Sequence, residues 1–182
     1  ECEPFITADY RILIENAAEV IRGLKYFLKA SLANKGIIAI EANKPRAVEL
    51  LQQLTADEPN ISVVVCPEKY PQGSERHLIY AVTGRVVPER ALPSAVGVIV
   101  DNVATAMQAA QAVKDDLPCY ERIVTVSGNT VRKPGNYRVR IGTLYSHLVE
   151  QGALGLKNEP ARIISGGPMM GFSLHSLDFP VL

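Results

Sequence analysis

Short runs of largely apolar residues alternate with helical patterns through the N-terminal part of the chain. Runs at residues 37–40 and 97–100, and a third at 61–65 that is interrupted only by Ser62, lack the regular polar and apolar alternation of a half-exposed strand. Strands of this kind are typical of sheets that helices cover on both faces. The pattern therefore predicts an α/β architecture with a largely parallel sheet.

Four helices are expected around these strands, because apolar side chains recur there at helical spacing. Their predicted bounds are 10–32, 45–54, 74–83 and 103–113. Pro45 suits the first turn of the second helix. Asn34 and Gly36 suit the C-terminus of the first helix, since both residues tolerate the left-handed conformation that often ends a helix.

The pattern changes near residue 118. Residues 121–141 alternate in polarity around a turn rich in Asn, Pro and Gly, which is typical of a β-hairpin. A short helix at 143–149, capped by Thr143, and a strand at 162–164 complete a small α+β module. We therefore predict two domains, residues 1–118 and 119–182.

Composition and charge exclude several classes of partner and site. Lys and Arg total 19, as do Asp and Glu, so the chain offers no electrostatic reason to bind nucleic acid or an anionic membrane. The longest apolar runs fall short of the roughly 20 residues that span a bilayer. The three cysteines are widely spaced, which favours a reducing, cytoplasmic setting over a disulfide framework. We expect no metal site, since no ligand spacing links His77, His147 and His175.

Ligands of parallel α/β sheets bind beyond the carboxyl ends of the strands, and two candidate segments follow predicted strands. In KYPQGSE, residues 69–75, Pro71 and Gly73 shape a tight turn before helix amides that can meet an anion. The alternative is a purely structural capped turn. In VDNVATA, Asp101 and Asn102 either cap a helix or offer Asn102 to the amide edge of a planar ligand.

Two further segments carry polar or flexible residues. In ECEPF, Glu1 and Glu3 are either solvated carboxylates or acceptors for hydroxyls of ribose or ribityl type. Cys2 between them has no neighbour that would lower its pKa, so no nucleophile is expected. In SGGPMMGF, residues 165–172, a tight turn carries two methionines that we interpret as core filler.

The order of ECEP, KYPQG, DNVATA and SGGPMMG along the chain closely resembles the RnfC family, the NADH-oxidising peripheral subunits of the bacterial Rnf complex. It is also similar to the flavin-carrying subunit of respiratory complex I. The resemblance covers essentially the whole chain. It implies a Rossmann-like flavin domain over residues 1–118, followed by a soluble-ligand-binding β-grasp module.

The resemblance also implies cofactor-binding residues in three of these segments. By that resemblance Glu1 and Glu3 lie against FMN and NADH, Gly73, Ser74 and Glu75 lie beside the flavin and nicotinamide, and Asp101, Asn102 and Thr105 lie under the flavin. No side chain is expected to act as an acid or a base, because the chemistry belongs to the flavin.

Members of the family pass electrons between NADH and ferredoxin, coupled to ion transport, at the cytoplasmic face of the bacterial membrane. The resemblance implies FMN, NADH, further Rnf subunits as partners, and [4Fe–4S] clusters held by cysteines outside this segment. Membrane association is expected only through those subunits. We expect a glycine-rich phosphate loop to precede Glu1, so this segment alone should bind FMN weakly and be inactive.

Three alternatives stay open at this point. Two belong to the same superfamily, namely a cobalamin-reducing flavoprotein and an electron carrier that feeds proline reductase. The third is a non-enzymatic scaffold with a degenerate flavin pocket, whose β-grasp module binds a partner.

Overall fold

Two parallel strands organise the first of two units in the computed structural model, which describes Glu1 and residues 3–182. The first unit comprises Glu1 and residues 9–118, and the second comprises residues 3–8 and 119–182. Cys2, for which no nucleophilic role is expected, lies outside the described residues. The architecture is mixed α/β, with one parallel pair of strands and two antiparallel pairs among the described residues.

The first unit alternates helices and strands in chain order. Its elements are α1 (Ala8–Glu15), α2 (Ala17–Ser31), β1 (Gly36–Glu41), α3 (Pro45–Leu54), β2 (Ile61–Cys66), α4 (Glu75–Thr83) and α5 (Val103–Asp115). Strands β1 and β2 pair in parallel, with Gly36 opposite Ile61 and Glu41 opposite Cys66. The predicted strands at the first two apolar runs and the helix at 45–54 are thus confirmed.

The predicted single helix at 10–32 is wrong, because it divides at Asn16. Asn16 has non-helical dihedrals (φ −131°, ψ 28°), as asparagine readily adopts. The second part ends at Leu32, which takes the left-handed conformation itself (φ 57°) and points its side chain into solvent. Gly36, predicted to end the helix, instead opens β1.

The predicted strand at 97–100 is also wrong. The amides of Gly97 and Val98 donate to the carbonyls of Ser94 and Pro93, within a 3-10 turn at Pro93–Val96. The segment has strand-like composition, but no strand of the described residues pairs with it. Its residues lead directly into α5.

Helices α2 and α5 pack closely in the core of the first unit. Gly23 of α2 faces the backbone of Ala106 of α5, and the space there admits no side chain at position 23. Ala110 is fully buried, and Met107 lies beside it in the core. Since Asn102 and Val103 begin α5, this contact helps to fix where they lie.

The second unit contains the predicted hairpin, which is confirmed, and a second pair of short strands. Its elements are β3 (Glu121–Val126), β4 (Gly135–Arg140), α6 (Tyr145–His147), a π-helical turn (Leu148–Gly152), β5 (Ile163–Ser165) and β6 (Phe172–Leu174). Thr143 is not the helix cap, since Leu144 occupies that position. Strand β6 was missed because Gly171 directly precedes it and only three residues follow the turn.

Candidate functional site

A cavity of about 270 Å³ lies in the first unit, at the carboxyl ends of β1 and β2. Residues at the ends of both strands line it, together with the loops that enter α4 and α5. This is where parallel α/β sheets bind ligands, because loops from neighbouring strands converge there.

Five of the eight predicted site residues line this cavity: Glu1, Gly73, Glu75, Asp101 and Asn102. Ser74 and Thr105 are exposed and do not line it. Ser74 occupies the N-cap position of α4 without a side-chain cap, and Thr105 lies in the first turn of α5. Glu3 belongs to the second unit.

The carboxylate of Glu1 is buried and holds the start of α1. Its two oxygens accept hydrogen bonds from the backbone N–H of Asp9 (3.0 Å) and of Tyr10 (3.3 Å). These are free amides of the first helical turn, and a carboxylate is favoured there by the helix dipole. The side chain is only 6% exposed, so Glu1 is not a solvated surface carboxylate. Burial raises the pKa of Glu1, and the nearby charge of Asp9 adds to this.

Asn102 caps α5 and ties it to α1. Its side-chain oxygen accepts the N–H of Ala104 (2.8 Å), and its side-chain nitrogen donates to the carboxylate of Asp9 (3.0 Å). The capping interpretation from the sequence is therefore confirmed. Each polar atom of this carboxamide already has a protein partner.

Sequence reasoning missed a pair of charged residues, Glu41 and Lys44, that also line the cavity. Glu41, the last residue of β1, is 7% exposed and accepts a hydrogen bond from Lys44 Nζ (2.6 Å). Cys66 lies opposite Glu41, and burial, followed by the charge of Glu41, raises the pKa of its thiol. The sequence did contain a signal for this residue. Glu41 is an acidic residue directly after an apolar run, and so is Asp101, which was predicted as a site residue.

The charges around the cavity are strongly unbalanced. The cavity is lined by five carboxylates, those of Glu1, Asp9, Glu41, Glu75 and Asp101. Among the described residues that line the cavity, Lys44 is the one basic side chain, and it donates a hydrogen bond to Glu41. Carboxylates accept hydrogen bonds and repel anions, so the cavity suits hydroxyl and N–H groups and disfavours a phosphate.

Part of the cavity lining consists of apolar side chains and is called the apolar wall. It is formed by Leu13, Ile40, Leu78, Val100 and Val103. A concave site with an apolar wall and a few polar groups is typical for a planar organic ligand. A flavin ring and its ribityl hydroxyls fit this set of groups, while the flavin phosphate has to lie outside the cavity.

Glu3 and the glycine-rich segment meet in the second unit. The Glu3 carboxylate accepts the N–H of Met169 (2.9 Å) and of Met170 (2.8 Å), and a Cβ at Gly167 would overlap it. The side chains of Met169 and Met170 are 52% and 75% exposed, so their interpretation as core filler is wrong. The backbone amides of the two methionines hold a carboxylate while their thioethers face solvent.

Replacing Glu1 with glutamine should change how stability depends on pH. The folded state raises the pKa of Glu1 above its ordinary 4.5, so it binds this proton more tightly than the unfolded state. The stabilising contribution is full below that ordinary value and is lost as the pH rises through the raised pKa.

Urea unfolding at several pH values measures this effect. The free energy of unfolding of the wild type, minus that of Glu1→Gln, should fall as the pH increases from about 4.5, the ordinary pKa of a glutamate. Parallel curves for the two proteins over this range would contradict the assignment.

Two known domain families match this chain, one in each of its two parts. The Nuo51 FMN-binding domain matches residues 1–111, and the SLBB domain matches residues 123–173. Among the described residues, no helix is long and apolar enough to cross a membrane. No cluster of metal-ligating side chains occurs among them either.

Three curated relatives match over the full length of the chain. It is 42% identical to the C subunit of the proton-translocating ferredoxin:NAD(+) oxidoreductase complex of Clostridium ljungdahlii. It is 41% identical to the C subunit of the Na(+)-translocating complex of Acetobacterium woodii, and 41% identical to the C subunit of the ion-translocating oxidoreductase complex of Yersinia enterocolitica. The chain spans 39%, 41% and 26% of these relatives.

A solved structure shares the fold. A chain in the crystal structure of an air-oxidized NAD+-reducing [NiFe]-hydrogenase superposes with a TM-score of 0.80 at 20% identity. The match covers 98% of this chain and 36% of that one. The predicted resemblance to the RnfC subunits is confirmed by the relatives. The domain match at residues 1–111 covers more than half of this chain, so the chain belongs to the Nuo51 FMN-binding domain family.

Proposed function

We propose that this chain is the flavin- and NADH-binding part of the C subunit of an ion-translocating ferredoxin:NAD+ oxidoreductase complex. In this proposal residues 1–118 are a Rossmann-like flavin domain and residues 119–182 a β-grasp module with its tail. The names of three relatives and the FMN-binding domain match support it. The observation that carries it is the acidic cavity with an apolar wall at the ends of β1 and β2.

Within the cavity the polar residues have different roles. Glu75 and Asp101 are exposed at its rim and have no hydrogen-bond or ion-pair partner among the described residues, so their carboxylates are available to ligand hydroxyls. Glu1, Asn102 and Asp9 are engaged with one another and with helix termini, so they fix the shape of the site. The apolar wall packs against a planar ring and excludes water from it.

FMN, when bound, supplies the chemistry that links a two-electron donor to one-electron acceptors. The protein's part is to orient the ring and to set the charge around it. The carboxylates of the cavity place negative charge near the ring, which disfavours a negatively charged reduced ligand and so lowers the tendency of the site to hold electrons. The phosphate of FMN would be bound by groups outside the cavity.

The wider role follows the names of the relatives. We propose that the further subunits of such a complex are the partners, that ferredoxin is reached indirectly, and that [4Fe–4S] clusters lie in other residues of the protein. The protein would be attached peripherally to the cytoplasmic face of the membrane through those partners.

The test is binding of FMN and NADH to the full-length protein that contains this chain, followed by flavin fluorescence and calorimetry. Glu75→Ala should weaken FMN binding by about tenfold or more, because a hydrogen bond to a charged group is worth roughly 1.5–3 kcal/mol. NADH oxidation with an artificial electron acceptor should fall in parallel.

Glu49→Ala is the matched control, since Glu49 is exposed on α3 and does not line the cavity. It should leave both binding and oxidation unchanged. If the full-length protein binds neither FMN nor NADH, the flavin proposal is wrong and a scaffold with a degenerate pocket takes its place.

A further inference from the structure

Gln72 is a buried polar residue whose side chain makes no hydrogen bond to the described residues of the protein. It lies in the loop between β2 and α4, lines the cavity and is only 8% exposed. Among the described residues its side chain has no hydrogen-bond partner. Buried carboxamides are normally paired, because an unpaired buried donor or acceptor is costly.

The unpaired carboxamide of Gln72 keeps contact with solvent. Among the described residues, no side-chain nitrogen or oxygen that is fully shielded from solvent lacks a partner. The polar atoms of Gln72 must therefore keep contact with solvent, and Gln72 is one of the residues that line the cavity. A ligand in the cavity would replace that water.

The loop holds Gln72 in place before any ligand binds. Its backbone N–H donates to the carbonyl of Lys69 (2.6 Å), and the N–H of Ser74 donates to the carbonyl of Pro71 (2.8 Å). These bonds fix the backbone that carries the side chain, so the loop itself loses little conformational entropy on binding.

The chemistry of Gln72 is distinct from that of its neighbours. The carboxylates of the cavity only accept hydrogen bonds, whereas a carboxamide offers a donor and an acceptor side by side. Asn102 also lines the cavity with a carboxamide, and both of its polar atoms already have protein partners. Gln72, whose carboxamide has no protein partner, is therefore the freer of the two for the role that the sequence suggested for Asn102, hydrogen bonding to the amide edge of a planar ligand.

We propose that Gln72 is a specificity-determining residue that binds the amide edge of the ligand in the cavity, an N–H next to a carbonyl. Two parallel hydrogen bonds join a carboxamide to such an edge. The inference rests on the proposed function, which supplies two ligands with this chemistry, the imide edge of the flavin and the carboxamide of the nicotinamide.

The experiment compares each ligand with an analogue that lacks the amide N–H. The ligands are FMN against N3-methyl FMN, and NADH against its 3-acetylpyridine analogue, each titrated into flavin-depleted full-length protein. The wild type should prefer at least one natural ligand by about tenfold, the size expected for one or two neutral hydrogen bonds. In Gln72→Met, which has similar volume and no amide, that preference should disappear.

The ligand pair that loses its preference identifies the group that Gln72 binds. Gln72→Asn, which keeps the amide on a shorter side chain, should retain part of the preference. Gln52→Met is the matched control, because Gln52 is exposed on α3 outside the cavity, and it should bind like the wild type. Circular dichroism of each variant reports whether it folds.

The outcomes separate this inference from the proposed function. If the wild type binds FMN or NADH but shows no preference over either analogue, the inference is wrong and the function stands, whether or not Gln72→Met folds. The same holds if Gln72→Met folds and keeps the wild-type preference. If the wild type binds neither natural ligand, both are wrong.

Discussion

Replacing Gly23 with alanine should destabilise the first unit by about 2–3 kcal/mol, even though this change normally stabilises a helix interior by about 1 kcal/mol. The reason is the contact between α2 and α5. A Cβ at position 23 would lie 2.5 Å from the carbonyl carbon of Ala106 and 2.9 Å from its Cα, and it would overlap the carbonyl oxygen. These are backbone atoms, so the two helices must move apart.

Chemical denaturation measures the loss of stability, and hydrogen exchange of the α2 and α5 amides shows that the loss occurs in the first unit. Ala18→Gly is the matched control, because Ala18 is exposed on the same helix and should lose only about 1 kcal/mol through helix propensity. A gain of stability in Gly23→Ala would show that the helices tolerate a side chain between them. FMN affinity of the full-length protein should fall with stability, since α5 carries Asn102 and Val103 to the cavity.

The elements that the sequence predicted well are those defined by local chemistry. Strands β1 and β2 and helix α3 follow from apolar runs and from Pro45 at a helix start. The errors arose where the backbone found partners that local sequence does not specify. The amides at positions 97 and 98 bond to the preceding 3-10 turn, so an apolar extended run forms no strand.

The sequence likewise predicted only part of the lining of the candidate site. Gly73, Glu75, Asp101 and Asn102 come together because polar residues follow apolar runs whose ends lie at one edge of the fold. Gln72 was missed because nothing in the sequence shows that a glutamine in a turn is buried and unpaired.

Glu3 shows how distance along the chain limits local reasoning, while its contact with FMN and NADH stays a prediction. Glu3 binds the amides of Met169 and Met170, far beyond the reach of any local pattern. The cofactor contacts of Ser74 and Thr105 also stay predictions, although neither residue lines the cavity. Adjacent residues at the start of a helix point in different directions, so proximity in sequence to Gly73 or Asn102 does not bring a side chain into the cavity.

Replacing Asn102 with alanine should cost the first unit about 2–3 kcal/mol. Loss of the helix cap at Ala104 accounts for about 1 kcal/mol, and the lost bond to the Asp9 carboxylate adds roughly 1–2 kcal/mol. The start of α5 should then fray, so the amides of the first helical turn should exchange faster with solvent than those of α3.

Two further substitutions separate the cap from the link to Asp9. Asn102→Ser keeps a capping oxygen but loses the link, so it should be intermediate in stability and should protect the α5 amides. Asn102→Asp also keeps the cap but places a second carboxylate beside that of Asp9. The present distance from the Asn102 side-chain nitrogen to the Asp9 carboxylate is 3.0 Å, so the two carboxylates would lie similarly close. Asn102→Asp should be less stable than Asn102→Ser at neutral pH, because like charges at this separation repel each other.

Comparing these variants by urea unfolding tests whether α1 and α5 are joined through this one side chain. If Asn102→Ser and Asn102→Asp are equally stable at neutral pH, Asp9 does not respond to charge at position 102. If Asn102→Ser is as stable as the wild type, the bond between the two helices contributes nothing. If Asn102→Asp is the weaker and recovers as the pH is lowered, the interaction across the mouth of the cavity is electrostatic. The shape of the cavity then depends on the pairing of Asn102 with Asp9, and FMN affinity in the full-length protein should follow the same order as stability.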